Sequence, residues 1–185
     1  MLCPSCGFPS SSRGFTAIEL MVVVAVLAVL AALAGPSLVP VIERWRVRQA
    51  TEEMAATFAY ARSEAIKRGG GVAVVRNAPA GGECASPADD AADWSCGWTV
   101  FDDANGDGVL GEGEATLRVS PPTRGLRFTN LNGDGAYRLS RWGELQGGAL
   151  GFAVAPARSG SPVVGALCIG AGGRVRARPG VATCA

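Results

Sequence analysis

Three arginines at alternate positions, Arg174, Arg176 and Arg178, stand between Cys168 and Cys184 with no acid among them. A guanidinium is a planar fork of donors that matches the oxygens of phosphate or carboxylate two at a time. In an extended segment, residues two apart face the same way at about 6.6–6.8 Å, a separation like that of phosphates along a nucleic-acid strand. Gly170, Gly172, Gly173 and Gly180 flank the arginines, so a ligand backbone can come close. A disulfide closing the segment lowers the entropy lost on binding. The chemistry expected here is anion binding, set against a solvated strand whose arginines happen to share a face.

A second constellation is acidic. In DANGDGVLGEGE, Asp103, Asn105, Asp107, Gly108 and Glu114 fall at positions one, three, five, six and twelve, the spacing of a loop that wraps oxygen ligands around one Ca²⁺. A Ca²⁺ loop of that type lies between helices, whereas the flanks here read as strands. An ordered β-turn therefore competes with a Ca²⁺ site at Asp103, Asn105, Asp107 and Glu114. The segment from Asn130 to Glu144 also carries turn chemistry at Asn132 and Asp134, while Tyr137 and Trp142 fit either core or surface.

The third is a lone carboxylate. Glu19 is followed by 23 uncharged residues, Leu20 to Ile42. As a helix they reach roughly 34 Å, enough for a bilayer core of about 30 Å. A carboxylate at such depth costs about 2.5–3.5 kcal/mol and needs a partner. RGFTAIELMVVVAVLAVLAALAGPSL resembles the class III signal of type IV pilins and pseudopilins. The resemblance implies cleavage by a prepilin peptidase after Gly14, N-methylation of the new terminus Phe15, and pairing of Glu19 with the terminal amine of a neighbouring subunit during assembly. Pro36 fits the proline that many pilins carry there, which removes a backbone donor and bends the helix. Residues 1–14 would be a cleaved leader, which makes its Cys3 and Cys6 incidental. Residues 15–42 would be a transmembrane and assembly helix in the inner membrane, and residues 43–185 a periplasmic globular domain.

Four cysteines remain after cleavage: Cys84, Cys96, Cys168 and Cys184. Arg13 on the cytoplasmic side places the domain outside, where disulfides persist. Three connectivities are open. The two local pairs, Cys84–Cys96 and Cys168–Cys184, are expected, each worth about 3 kcal/mol on a chain-entropy basis. The net charge of +1 hides an asymmetry: residues 81–114 hold nine acids and no Lys or Arg, and residues 115–185 hold nine arginines and two acids.

The elements that must position these groups follow from periodicity. Val47, Thr51, Met54, Phe58, Ala61 and Ala65 recur at spacings of three and four, while Glu52, Glu53, Arg62 and Lys67 fall off that stripe, predicting an amphipathic helix. The run Arg68 to Gly71 ends it. Strands are expected at Val72–Arg76, Trp98–Asp102, Ala115–Val119, Leu126–Phe128, Ala136–Leu139, Leu150–Ala155, Val163–Ile169 and Arg174–Arg178. Residues 77–95 read as a loop pinned by a disulfide. The fold class is α+β, a long N-terminal helix packed on antiparallel sheet.

Within the pilin superfamily, three segments are similar to the GspH/FimT pseudopilins: ARSEAIKRGGGVAV from Ala61, WTVFDDANGDGVLGEGEATLRV from Trp98, and LCIGAGGRVRARPG from Leu167. FimT pseudopilins of transformable bacteria carry a C-terminal Gly-Arg-x-Arg motif implicated in DNA uptake. Gly173, Arg174, Val175 and Arg176 match it, and Arg178 extends it. The resemblance implies a minor pilin that binds double-stranded DNA through these residues in natural transformation, with other pilins as partners. The alternative is a structural pseudopilin of a type II secretion system or a pilus-priming subunit. Phosphate contacts carry no base information, so binding would be sequence-independent. No aromatic interleaves the arginines along the chain, which gives single-strand stacking little support. With no histidine and no nucleophile beside a base, the chain is not expected to be an enzyme. No cofactor is expected apart from the Ca²⁺ of the acidic loop.

Overall fold

The structure, a computed structural model, describes residues 14–79, 84, 90–158 and 160–184, without the side chains of 33–37. The expected leader through Arg13, its Cys3 and Cys6, and the side chain of Pro36 lie outside the described residues, as does most of the loop before Asp90. The chain divides into two compact units, one ending at Val39 and one spanning Pro40–Ala185.

Among the described residues there is one helix, α1 (Ala17–Arg68). Thr16 caps it: its hydroxyl accepts the N–H of Glu19 at 3.3 Å, filling a donor that helix geometry leaves open. Thr16 and Glu19 are thus spaced as a capping box, a local role for this pair that the sequence reading missed. In the first unit the described apolar side chains stand exposed, Phe15 at 83% and Met21 at 71%. Among the described residues no helix is long and apolar enough to cross a membrane; the side chains of 33–37, inside the segment expected to span over 15–42, lie outside the described residues.

In the second unit the expected stripe is the one that is buried. Val47, Thr51, Met54, Phe58, Ala61 and Ala65 all face the core. Thr51 fits because its hydroxyl donates back to the Val47 carbonyl at 2.7 Å. The helix stops at Gly69 and Gly70, both with positive φ, where the Gly70 N–H closes on the Ala65 carbonyl at 2.8 Å. This left-handed exit is one that a residue with a Cβ adopts at a cost. Arg68 then reaches across to Asp102 at 2.7 Å, tying the helix end to the sheet.

Among the described residues eight strands follow: β1 (Val72–Arg76), β2 (Trp98–Asp102), β3 (Thr116–Ser120), β4 (Leu126–Asn130), β5 (Ala136–Leu139), β6 (Leu150–Pro156), β7 (Gly165–Ile169) and β8 (Val175–Pro179). They form two four-stranded sheets, β3-β2-β1-β5 and β4-β6-β7-β8, and every pairing is antiparallel. The chain changes sheet at each step from β3 to β6, so β4 and β5 are neighbours in sequence that join different sheets. Their link is a folded corner, since the Asn130 side-chain oxygen accepts the N–H groups of Asn132 and Gly133 at 2.7 and 3.1 Å. One core lies under both sheets and against α1. It is centred on rings: Phe152 packs against Trp94, Phe58, Phe128 and Tyr137 with centroids 5.1–6.5 Å apart. Trp98 donates its indole N–H to the Thr57 hydroxyl at 3.0 Å, so the buried ring leaves no donor unpaired.

Candidate functional site

The arginine segment is a hairpin arm at a sheet edge. β7 and β8 pair in the register Ala166↔Arg178, Leu167↔Ala177, Cys168↔Arg176 and Ile169↔Val175. Opposed residues share a face, and successive residues alternate. Leu167 and Ile169 belong to the core, with Val175 packed against it, so Arg176 and Arg178 face outward, and Arg174 precedes the strand with the same parity. All three are exposed. The strand begins one residue later than expected because the loop closes first: the Gly173 N–H donates to the Gly170 carbonyl, and Gly170 donates to Arg174, at 2.8 and 2.9 Å.

Both local disulfides are present, Cys84–Cys96 and Cys168–Cys184. The second sets the C-terminal segment on the outer face, on the strand next to Arg176. Gly151 of β6 is what leaves room for it, since a Cβ there would lie 2.8 Å from the Cys184 sulfur. The Gly180 N–H holds the other end of β8 to the Val164 carbonyl at 2.9 Å. The arginines thus sit on a strand fixed at both ends.

Further cations approach from α1 and from a neighbouring turn. At the hairpin tip Gly173 has φ +76°, and a Cβ on it would lie 2.9 Å from both the Arg62 guanidinium and the Gly143 carbonyl oxygen. The glycine of the motif therefore serves the fold through its conformation and its close contacts. At the far end of β8, Arg178, Pro179 and Gly180 line a groove of about 620 Å³ with Arg44, Arg48, Val47 and Thr51 of α1. Arg48 there is paired with Glu52 at 2.8 Å. By sequence Arg62 is only a residue off the buried stripe; its place against the hairpin tip depends on how α1 and β8 pack.

Other arginines have separate tasks. Arg138 donates to Asp103 at 2.8 Å, and Arg158 to Glu43 at 2.9 Å. Glu43 also accepts from the Ser161 hydroxyl at 2.6 Å. That bond, followed by Arg158, holds its carboxyl below the usual range despite some burial. These two arginines hold loops and do not extend the stripe.

The acidic loop is ordered by the groups expected to bind Ca²⁺. Asp103 is buried and accepts from Arg138 and from the N–H groups of Gly106 and Gly108 at 2.9 and 3.2 Å. Glu114 accepts from Ala104 and Gly111 at 3.1 and 2.9 Å, and Asn105 donates to Asp107 at 2.8 Å. Among the described residues no group of three or more acids, cysteines or histidines is placed to hold a metal ion.

Gly14, Phe15 and Glu19 lie together at the start of α1, remote in sequence from the arginines. Residues 50–173 match the family described as type II transport protein GspH, and residues 9–35 match the prokaryotic N-terminal methylation motif. No curated protein matches the chain. Among solved structures it is similar to the type IV minor pilin FimU of Pseudomonas aeruginosa in two crystal forms. The first has 23% identity and a TM-score of 0.54, covering 74% of this chain and 91% of that one. The second has 22% identity and a TM-score of 0.51, covering 72% and 93%. The chain belongs to the GspH family and is a type IV pilin-like pseudopilin.

Proposed function

We propose that this pseudopilin is a FimT-like minor pilin that captures extracellular double-stranded DNA, without sequence preference, through Arg174, Arg176 and Arg178. The observation that carries the reading is the exposed outward row of guanidinium groups on a strand tied down at Cys168–Cys184 and at Gly180. A fixed row of forks loses little freedom when phosphates settle on it. Assembly is assigned to the other end: Phe15 as methylated terminus after cleavage at Gly14, and Glu19 as partner of a neighbouring amine. The exposed apolar half of α1 is then covered by the inner membrane before assembly and by other pilins afterwards, with the domain in the periplasm. No catalytic residue is assigned, and Ca²⁺ is not needed for any step.

Cations on an edge strand also keep it from pairing with a foreign sheet. That, with the type II transport description of the family, favours a second reading, a secretion pseudopilin whose arginines meet an acidic neighbour. Retention of linear duplex at low salt by the full chain in nonionic detergent separates the two. The capture reading expects retention by the wild type and its loss in the R174Q/R176Q double variant. Equal retention by both proteins, or none, supports the secretion subunit.

A further inference from the structure

Trp142, which fits core or surface by sequence, stands on the surface with 68% of its area exposed. It rides on a turn that Ser140 builds. The Ser140 hydroxyl accepts the N–H groups of Trp142 and Glu144 at 3.2 and 3.3 Å, and its carbonyl accepts that of Gly143 at 2.8 Å. The turn leans on the arginine hairpin, because buried Leu145 donates to the Ala171 carbonyl at 2.8 Å. Its Gly143 carbonyl is also one of the close neighbours of Gly173. Trp142 and Arg174 are therefore each one residue away from the same contact, although 32 positions separate them in the sequence. The Arg141 guanidinium stacks over the indole at 5.6 Å from its centroid, and Arg62 lies against both Gly143 and Gly173. Glu144 is the one acid of the turn.

A large aromatic held in the open by a well-bonded turn, with Arg141 over its ring and with Arg62 and the Gly173–Arg174 tip against the same turn, is the pairing of ring and cations that unpaired nucleotides bind. A protein partner that buries the indole would need to accommodate those positive charges as well. We propose that Trp142 is a stacking platform for an unpaired base, beside the phosphate-binding arginines of β8. The proposal rests on the DNA reading of β8 and alters what that site prefers. A duplex keeps its bases stacked inside and engages only the arginines. A single strand or a frayed end engages both the arginines and the indole. The sequence reading found no aromatic between the arginines; the fold supplies one from a different turn.

The test uses the full chain in nonionic detergent, with oligothymidylate and a duplex closed at both ends by hairpin loops as probes. Indole fluorescence and affinity are read for wild type, W142A, W142F and R174Q/R176Q. The expected result is quenching of the wild type by oligothymidylate, absent in W142F. W142A should bind oligothymidylate on the order of 5- to 150-fold more weakly and the closed duplex as before, while W142F keeps most of the single-strand affinity. If W142A matches the wild type on oligothymidylate, stacking is refuted; a duplex affinity that still depends on Arg174 and Arg176 leaves the capture site standing. If the wild type binds neither probe, the DNA reading falls and takes the platform with it. Loss of pilin association by W142A with both affinities unchanged would likewise overturn the platform and assign the indole to a protein contact.

Discussion

Gly173 gives a sharp test of whether the hairpin is built as described. An alanine there must hold φ near +76°, which costs an L-residue about 1–2 kcal/mol. Its Cβ would also stand 2.9 Å from the Gly143 carbonyl oxygen and from the Arg62 guanidinium. The guanidinium can swing aside, but the carbonyl belongs to a turn fixed by four hydrogen bonds at 2.8–3.3 Å, so about another 1 kcal/mol is expected. Loss of glycine's freedom in the unfolded chain returns about 0.4–1 kcal/mol. The net expectation for Gly173→Ala is a destabilisation of about 2 kcal/mol, or roughly 4–8 °C in Tm for a domain of this size. Gly172 is the control one residue away. It has no heavy atom within 4 Å of a built Cβ and no left-handed φ, so Gly172→Ala should leave Tm unchanged or raise it by a degree or two. Thermal unfolding of the two variants, followed by near-ultraviolet circular dichroism, gives the comparison. Equal melting temperatures would refute the reasoning, because they would mean that the tip is not packed against Gly143 and Arg62.

Three further outcomes are expected. Burial, partly countered by the Asn130 hydrogen bond and reinforced by the Asp134 charge, pushes the Tyr137 phenol up to about 12. Since the folded value lies above the unfolded one, the associated stability is intact below about pH 10 and is lost as pH rises through about 12. Phenolate absorbance in Tyr137→Phe against wild type reports it, and ionisation of Tyr137 near pH 10 in the folded protein would contradict it. Arg138→Gln leaves the buried Asp103 carboxylate with backbone donors alone, so about 2–4 kcal/mol of stability should go, seen as a fall in Tm; the same loop should melt alike with added Ca²⁺ or EDTA, and a Ca²⁺-dependent rise would support a bound ion. Glu19→Ala should abolish incorporation into fibres while leaving the Tm of the globular unit unchanged, and normal incorporation would remove Glu19 from assembly.

Much of the fold was legible because it rests on periodicity. The α1 stripe from Val47 to Ala65 and the glycines after Arg68 each state their role in a single local pattern. Strand positions were legible to within a residue or two for the same reason. The division into two sheets was not, since it depends on the chain changing sheet at β3 to β4, β4 to β5 and β5 to β6, and no local signal marks those steps. The arginine row could be found by its spacing. Its surroundings could not, because Arg62 and the turn that carries Arg141 and Trp142 meet the hairpin only through the packing of α1 and of that turn. In the acidic loop, spacing suggests a ligand set, whereas the pairing of Asp103 with Arg138, 35 positions away, is one that sequence spacing does not reveal.

The most direct test of DNA capture is the salt dependence of duplex binding by the full chain in nonionic detergent. Three phosphate contacts from Arg174, Arg176 and Arg178 predict a slope of log K against log salt of about −2.7, from about −0.9 per contact. The R174Q/R176Q variant should bind more weakly, with a slope of about −0.9. The same slope and affinity for both proteins, or no binding by the wild type, would contradict capture through β8.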